Sequence, residues 1–147
     1  MGMAPDSRLM ALLGDWTGTE ELFPTAWTEA GTARGALSVE PGPAGVLLDY
    51  VEARDGAEGA PLVAHAVVAG EGFWWFDTYG FTPQAPGSAE WVDEALVLDR
   101  RSDRGRTVMR LRADGDRLTI ELDSAVPADA TPAPLMRGVY TRQAAQG

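Results

Sequence analysis

Apolar and polar residues alternate along most of the chain in short runs, broken by glycine, proline and aspartate. Alternation with a period of two marks a strand that buries one face. The runs predict strands near residues 15–22, 32–40, 45–54, 61–69, 72–79, 91–100, 105–113, 116–124 and 135–143. One segment reads as helix: Asp6 or Ser7 can cap it, and Leu9, Leu12 and Leu13 share a face before Gly14 ends it. Regular short strands with turn punctuation predict a mainly β fold, an antiparallel barrel or sandwich.

Two hairpins can be tested for internal consistency. In RTVMRLRADGDRLTIELDS, an Asp114–Gly115 turn with Ala113 opposite Asp116 sets Leu111 across from Leu118, Met109 from Ile120 and Thr107 from Leu122. The other face then carries Arg106 opposite Asp123 and Arg110 diagonal to Glu121, so apolar meets apolar and opposite charges meet. In PLVAHAVVAGEGFWWFDT, a turn centred on Gly70–Glu71 pairs Val68 with Phe73, Ala66 with Trp75 and Ala64 with Asp77. His65 then lies opposite Phe76, on the face of Val63, Val67 and Trp74. Both faces of this second hairpin are apolar. Phe73 and Trp75 point one way and Trp74 and Phe76 the other, and the pattern leaves open which pair is interior. One face lines the core, and the other needs a cover, either the N-terminal helix or a second subunit.

The segments EPGPAG (40–45), TPQAPGS (82–88) and SAVPADATPAPL (124–135) read as surface connections, the last two as candidate mouth loops. Residues 1–5 and 144–147 read as flexible tails of a single domain spanning 1–147.

Composition narrows the chemistry. The 147 residues are 45% hydrophobic and 23% charged, with a net charge of −10. That balance disfavours nucleic acid and anionic membrane surfaces as partners. No run reaches transmembrane length and no signal peptide is visible, so a cytoplasmic location is expected. Cysteine and lysine are both absent, which excludes thiolate nucleophiles, Cys-ligated metals and Schiff-base chemistry. With His65 the only histidine, no multi-histidine metal site can form, and neither a metal nor a cofactor is expected.

LMALLGDWTGTEELFP places Gly14-Asp15-Trp16 between the helix and the first strand. Gly-x-Trp in this position resembles the opening signature of lipocalins and related calycin barrels. The wider pattern, Leu9 and Leu12 followed by Gly14, Trp16 and Gly18, resembles an uncharacterised bacterial family of lipocalin-like domains. In that family a later Trp-Phe-Asp and a closing Tyr-x-Arg recur, and here they read Trp75-Phe76-Asp77 and Tyr140-Thr141-Arg142. The resemblance implies an up-and-down barrel of about 8–10 strands holding a small ligand. It also implies a late arginine over the Gly-x-Trp indole, making Trp16 and Arg142, or else Arg137, the structural closure. Haem-binding relatives use a histidine near the last strand, and LMRGVYTRQ has none. Fatty-acid-binding barrels hold a carboxylate with an arginine and a tyrosine, for which Tyr140 and Arg142 share a face. An α+β cone of the kind found in small cyclases needs several N-terminal helices, and one is visible.

Each candidate has a plain reading beside the functional one. His65 suits acid–base work or a ligand hydrogen bond, and equally a core histidine with one satisfied partner. Asp77 is a candidate general base if buried, and otherwise a turn aspartate bonding the backbone near Thr78–Gly80. The segment from Arg100 to Arg112 carries six of the 12 basic residues, and the hairpin register makes it a solvated, salt-bridged face. For Glu20, Asp49, Tyr50 and Glu52 the pattern fixes no facing. No nucleophile-elbow serine or phosphate loop is present. The candidate ligand-binding residues are Tyr50, His65, Trp74, Trp75, Phe76, Met109 and Tyr140, and the candidate catalytic residues are His65, Asp77 and Tyr140. Binding of a small, largely apolar or aromatic molecule is the leading expectation. A cofactor-free cyclase or isomerase of secondary metabolism comes second, and a homodimeric interaction module third.

Overall fold

A computed structural model describes residues 7–26, 28–56, 59–78, 86–102 and 104–144, and among these described residues one short helix precedes ten strands. Helix α1 (Ser7–Leu12) leads into β1 (Gly14–Leu22), β2 (Gly31–Gly42), β3 (Gly45–Arg54), β4 (Leu62–Ala69) and β5 (Gly72–Asp77). Strands β6 (Gly87–Val92), β7 (Ala95–Ser102), β8 (Gly105–Asp114), β9 (Arg117–Ala125) and β10 (Ala133–Arg142) follow. Each strand pairs antiparallel with its sequence neighbour, and β1 also pairs with β10 from Trp16–Arg142 to Leu22–Met136, which closes the barrel. This is the lipocalin-like, calycin-type architecture that the alternation and the Gly-x-Trp opening imply. The expected tails at 1–5 and beyond 144 lie outside the described residues, as do Asp6 and most of the 82–88 loop.

Three sequence expectations are corrected. The single strand expected at 91–100 is two, β6 and β7, joined at Asp93–Glu94, where Asp93 takes φ +54°. An aspartate tolerates that left-handed turn conformation without disturbing the apolar alternation, so the turn left no mark in the pattern. The β8–β9 register is shifted by two residues. The turn is Gly115–Asp116, with φ +61° at Gly115, and Asp114 pairs with Arg117, Leu111 with Ile120 and Met109 with Leu122. A slip of two keeps every side chain on its expected face, which is why apolar matching could not detect it. Arg106 consequently meets not Asp123 but Asp99 of β7, at 2.6 and 3.0 Å. Finally, the surface connection expected at 40–45 shortens to Pro43–Ala44, since β2 runs to Gly42 and β3 starts at Gly45, where a Cβ would lie 2.0 Å from the Val68 carbonyl. The β4–β5 hairpin has the expected register throughout, Val68–Phe73 to Ala64–Asp77.

The two barrel ends differ. At one end all four strand connections, Pro43–Ala44, Gly70–Glu71, Asp93–Glu94 and Gly115–Asp116, are two residues long. Helix α1 lies across this end, with Leu9, Leu12 and Leu13 against the core. Trp16 is fully buried, and its indole N–H donates to the Leu12 carbonyl at 2.9 Å. The Arg142 guanidinium stacks 4.2 Å above the Trp16 ring and donates to the Leu13 and Ala11 carbonyls. A single cation thus fastens the helix end, the first strand and the last strand. At the other end the β7–β8 connection is also two residues, but the connections 23–30, 55–61, 78–86 and 126–132 are longer, and there the barrel is open.

Trp16→Ala should cost about 3–5 kcal/mol in urea denaturation through the cavity it leaves. Arg142→Ala should cost less, about 1–2 kcal/mol, and release α1 first. Equal stability of Trp16→Ala and wild type would contradict this account of the plugged end.

Candidate functional site

Strand alternation sends Tyr50, Glu52 and Arg54 of β3, Phe73, Trp75 and Asp77 of β5, Leu98 and Arg100 of β7, and Thr107 and Met109 of β8 into the lumen. With Leu22, Phe23, Leu122, Leu135 and Met136 they surround a cavity of about 340 Å³ that opens at the long-loop end. Beneath Tyr50, Trp75 and Met109 the lumen shrinks to a void of about 10 Å³, so these three side chains form the floor. Below them Leu37, Leu48, Leu111 and Ile120 fill the barrel as an ordinary core.

Beside the floor is a polar cluster. Glu20 of β1 is 2% exposed. Its Oε2 accepts hydrogen bonds from the hydroxyls of Tyr50 and Tyr140, while Oε1 has no hydrogen-bond partner among the described residues. The Tyr50 hydroxyl also lies 2.9 Å from Glu52 Oε2. Burial, reinforced by the neighbouring Glu52 carboxyl, pushes the Glu20 pKa up to about 8, against the opposing pull of the two tyrosine hydroxyls. Both tyrosines are pushed well above the usual phenol value by burial and by the Glu20 charge.

Small residues make this burial feasible. Gly18, Gly35 and Gly138 face the lumen on three adjacent strands and leave a slot for the Tyr140 ring. A Cβ at Gly35 would lie 1.6 Å from the Tyr140 hydroxyl oxygen, and one at Gly138 2.9 Å from its Cε1.

The cavity wall carries a second polar pair. The Trp75 indole N–H donates to Asp77 at 2.9 Å, and the Arg100 guanidinium sits 5.2 Å from the Trp75 ring centroid. Burial lowers the Arg100 pKa, opposed by the charge of Asp77. Among the described residues, strand β6 meets β5 at Gly72–Ser88 and Phe73–Gly87.

The structure brings together only some of the candidates read from the sequence. Tyr50, Trp75, Met109 and Asp77 line the cavity. Asp77 binds the Trp75 indole from the last position of β5, and its expected turn partners at 79 and 80 lie outside the described residues. Tyr140 is fully buried and separated from the cavity, with its hydroxyl on Glu20. The Tyr140–Arg142 anion pair does not form, because Arg142 is engaged at the plugged end. His65, Trp74 and Phe76 are on the outer face: since Trp75 faces in, the register turns all three away from the lumen. The His65 side chain is 48% exposed and pairs with Asp49 at 2.7 Å, and Phe76 is 42% exposed. Acid–base roles for His65 inside the barrel are thereby overturned. Arg137 lies outside as well, on Glu121 and Asp123 at 3.1 and 2.8 Å.

Sequence reasoning missed Glu20, Glu52 and Arg100. The glutamates occupy the same alternation as Trp16 and Leu22 and as Leu48 and Tyr50, a parity signal present in the chain. Arg100 shares that parity with Leu96 and Leu98. Among the described residues no group of three or more His, Cys, Asp or Glu could hold a metal ion, and no helix is long and apolar enough to cross a membrane.

No family model and no curated protein matches the chain. Among solved structures it is similar to the S-type phycobiliprotein lyase CPES from Guillardia theta, with a TM-score of 0.69 and 11% identity over 95% of this chain and 93% of that one. It is also similar to Rv2717c from M. tuberculosis, with a TM-score of 0.64 and 16% identity over 96% of this chain and all of the other. At such identities the likeness establishes the barrel fold alone.

Glu20 sets a pH dependence of stability. Its pKa rises from 4.5 to about 8 on folding, so its stabilising effect is complete below about pH 4.5 and is lost as pH climbs to about 8. Thermal scans should show the melting temperature falling across that window, whereas Glu20→Gln should have no such slope. A wild-type melting temperature that rises from pH 5 to pH 8 would reverse the assigned sign.

Proposed function

We propose that this barrel binds one small, largely apolar or aromatic ligand in the open half of its lumen. The observation that carries the reading is the cavity itself. Its volume of about 340 Å³ lies near the lower end of the ~300–1,000 Å³ typical of small-molecule sites. Its walls are mostly apolar, with Phe73, Trp75, Leu98, Met109, Leu122 and Met136 around it, and a few polar groups converge on it. Aromatic rings and two methionine side chains suit a flat guest. Tyr50, Glu52 and Arg100 supply the directional contacts that orient it.

The buried Glu20–Tyr50–Glu52 cluster favours one second reading. A carboxyl that keeps its proton near neutrality can act as a general acid, so a cofactor-free isomerase or cyclase fits the same cavity. Among barrels of this fold, the Guillardia theta protein is named a lyase, so the scaffold supports activity as well as binding.

Titration with naphthalene should quench tryptophan emission, because Trp75 forms part of the floor. Met109→Trp, which fills the cavity, should weaken that binding at least tenfold, while His65→Ala should leave it unchanged. Unchanged affinity in Met109→Trp would place the guest elsewhere and end the reading.

A further inference from the structure

Tyr50 is where the buried carboxyl and the cavity meet. Its hydroxyl touches Glu20 Oε2 on one side and Glu52 Oε2 on the other, and the Tyr140 hydroxyl makes a third contact, with Glu20 Oε2. Three such oxygen–oxygen contacts need three protons. Ionised carboxylates only accept, and the two tyrosines supply two. The third proton therefore belongs to a carboxyl. Either Glu52 donates to Tyr50 while Tyr50 donates to Glu20, or Glu20 donates to Tyr50 while Tyr50 donates to Glu52. The two arrangements interconvert by proton shifts through the Tyr50 hydroxyl, with every heavy atom in place. Glu20 does not line the cavity, whereas Tyr50 and Glu52 do.

We propose that the Glu20–Tyr50–Glu52 relay is a proton-donating anchor beside the cavity floor, selecting an aromatic ligand that carries a weakly basic nitrogen. This rests on the cavity being the ligand site. A ring nitrogen seated against Glu52 accepts a hydrogen bond from the shared proton through its lone pair. The proton stays on the cluster, so no covalent bond changes.

The surrounding groups specify a weak base over a permanent cation. Arg54 lies one inward position beyond Glu52 on β3, with its guanidinium on the Glu29 carbonyl. Arg100 of β7 lies on the opposing wall beside Trp75, and Asp77 of β5 is near it. Tyr140 approaches from β10, and β2 and β4 present only Ala33, Gly35, Leu62 and Ala64 at this level. The two arginines are matched by Glu52 and Asp77 in the cavity lining, so no net charge there draws in a permanent cation. A ligand that arrives neutral needs only the hydrogen-bonding proton.

Isoquinoline and naphthalene have the same shape and differ by one ring nitrogen, and isoquinoline is uncharged in neutral and alkaline water. Calorimetric titration at about pH 7 and about pH 9 brackets the Glu20 value of about 8. Isoquinoline should bind more tightly than naphthalene at the lower pH and lose about tenfold at the higher, as the proton-bearing fraction falls. Naphthalene should be indifferent to pH, and Glu20→Gln should flatten the isoquinoline profile. Naphthalene binding reports whether that variant is folded, and Glu52→Gln, with the same expected flattening, stands in if it is not. Parallel pH profiles for the two compounds, or an undiminished profile in both variants, would overturn the anchor and leave the cavity reading intact. Failure of naphthalene itself to bind would remove both.

Discussion

Ten strands closed into one barrel enclose more width than side chains can fill at every level, since about eight strands already give an interior that side chains just fill. The excess must appear as a hole somewhere, and the Trp16–Arg142 contact decides where. Arg142, the last residue of β10, lies over the indole of β1 and holds the final carbonyls of α1. That contact ties the β1–β10 seam and spends the helix as a plug on the same end. Leu12, Trp16, Leu96 and Leu118 are buried there. The surplus width is left to the other half, where the longer loops stand and, among the described residues, no helix crosses the lumen. The hollow thus follows from where the plug sits.

Placing a carboxyl in such an interior is costly, and the surroundings of Glu20 show how the cost is met. Glycines at 18, 35 and 138 remove three inward side chains from adjacent strands, and the Tyr140 ring occupies the vacated slot with its hydroxyl on Glu20. A leucine in place of Glu20 would need none of these accommodations. The rise of the Glu20 pKa to about 8 shows that two tyrosine donors do not fully offset burial. A carboxyl that weakens the native state as pH rises is one whose burial its neighbours do not fully offset. It resembles an acid kept neutral by its environment more than a structural ion pair.

Much of the fold was legible in the chain because strand parity repeats. The β4–β5 register followed from one Gly70–Glu71 turn, and the β1–β10 closure from Gly-x-Trp with a late arginine. What failed were features to which parity is blind. A register slip of two at Gly115–Asp116 leaves all faces unchanged, and a turn at Asp93–Glu94 interrupts no apolar run. The site was less legible than the fold. Trp75, Tyr50 and Met109 were identifiable as rings and a flexible side chain in strands. Which face of the Trp74–Trp75 doublet turned inward needed the closed sheet, and with it went His65. Glu20 and Glu52 carry inward parity, but a charged residue at an apolar position reads as an error in the pattern unless a hydrogen-bonding partner from another strand is known. Their partner Tyr50 lies thirty residues from Glu20 in sequence, beyond the reach of any local reading.

The tryptophan doublet gains its meaning from the side chains around its inward ring. Arg100 lies over Trp75, near Asp77, and the indole N–H is held by the Asp77 carboxylate. Such a stack keeps Trp75 fixed in orientation while leaving part of its ring open to the cavity.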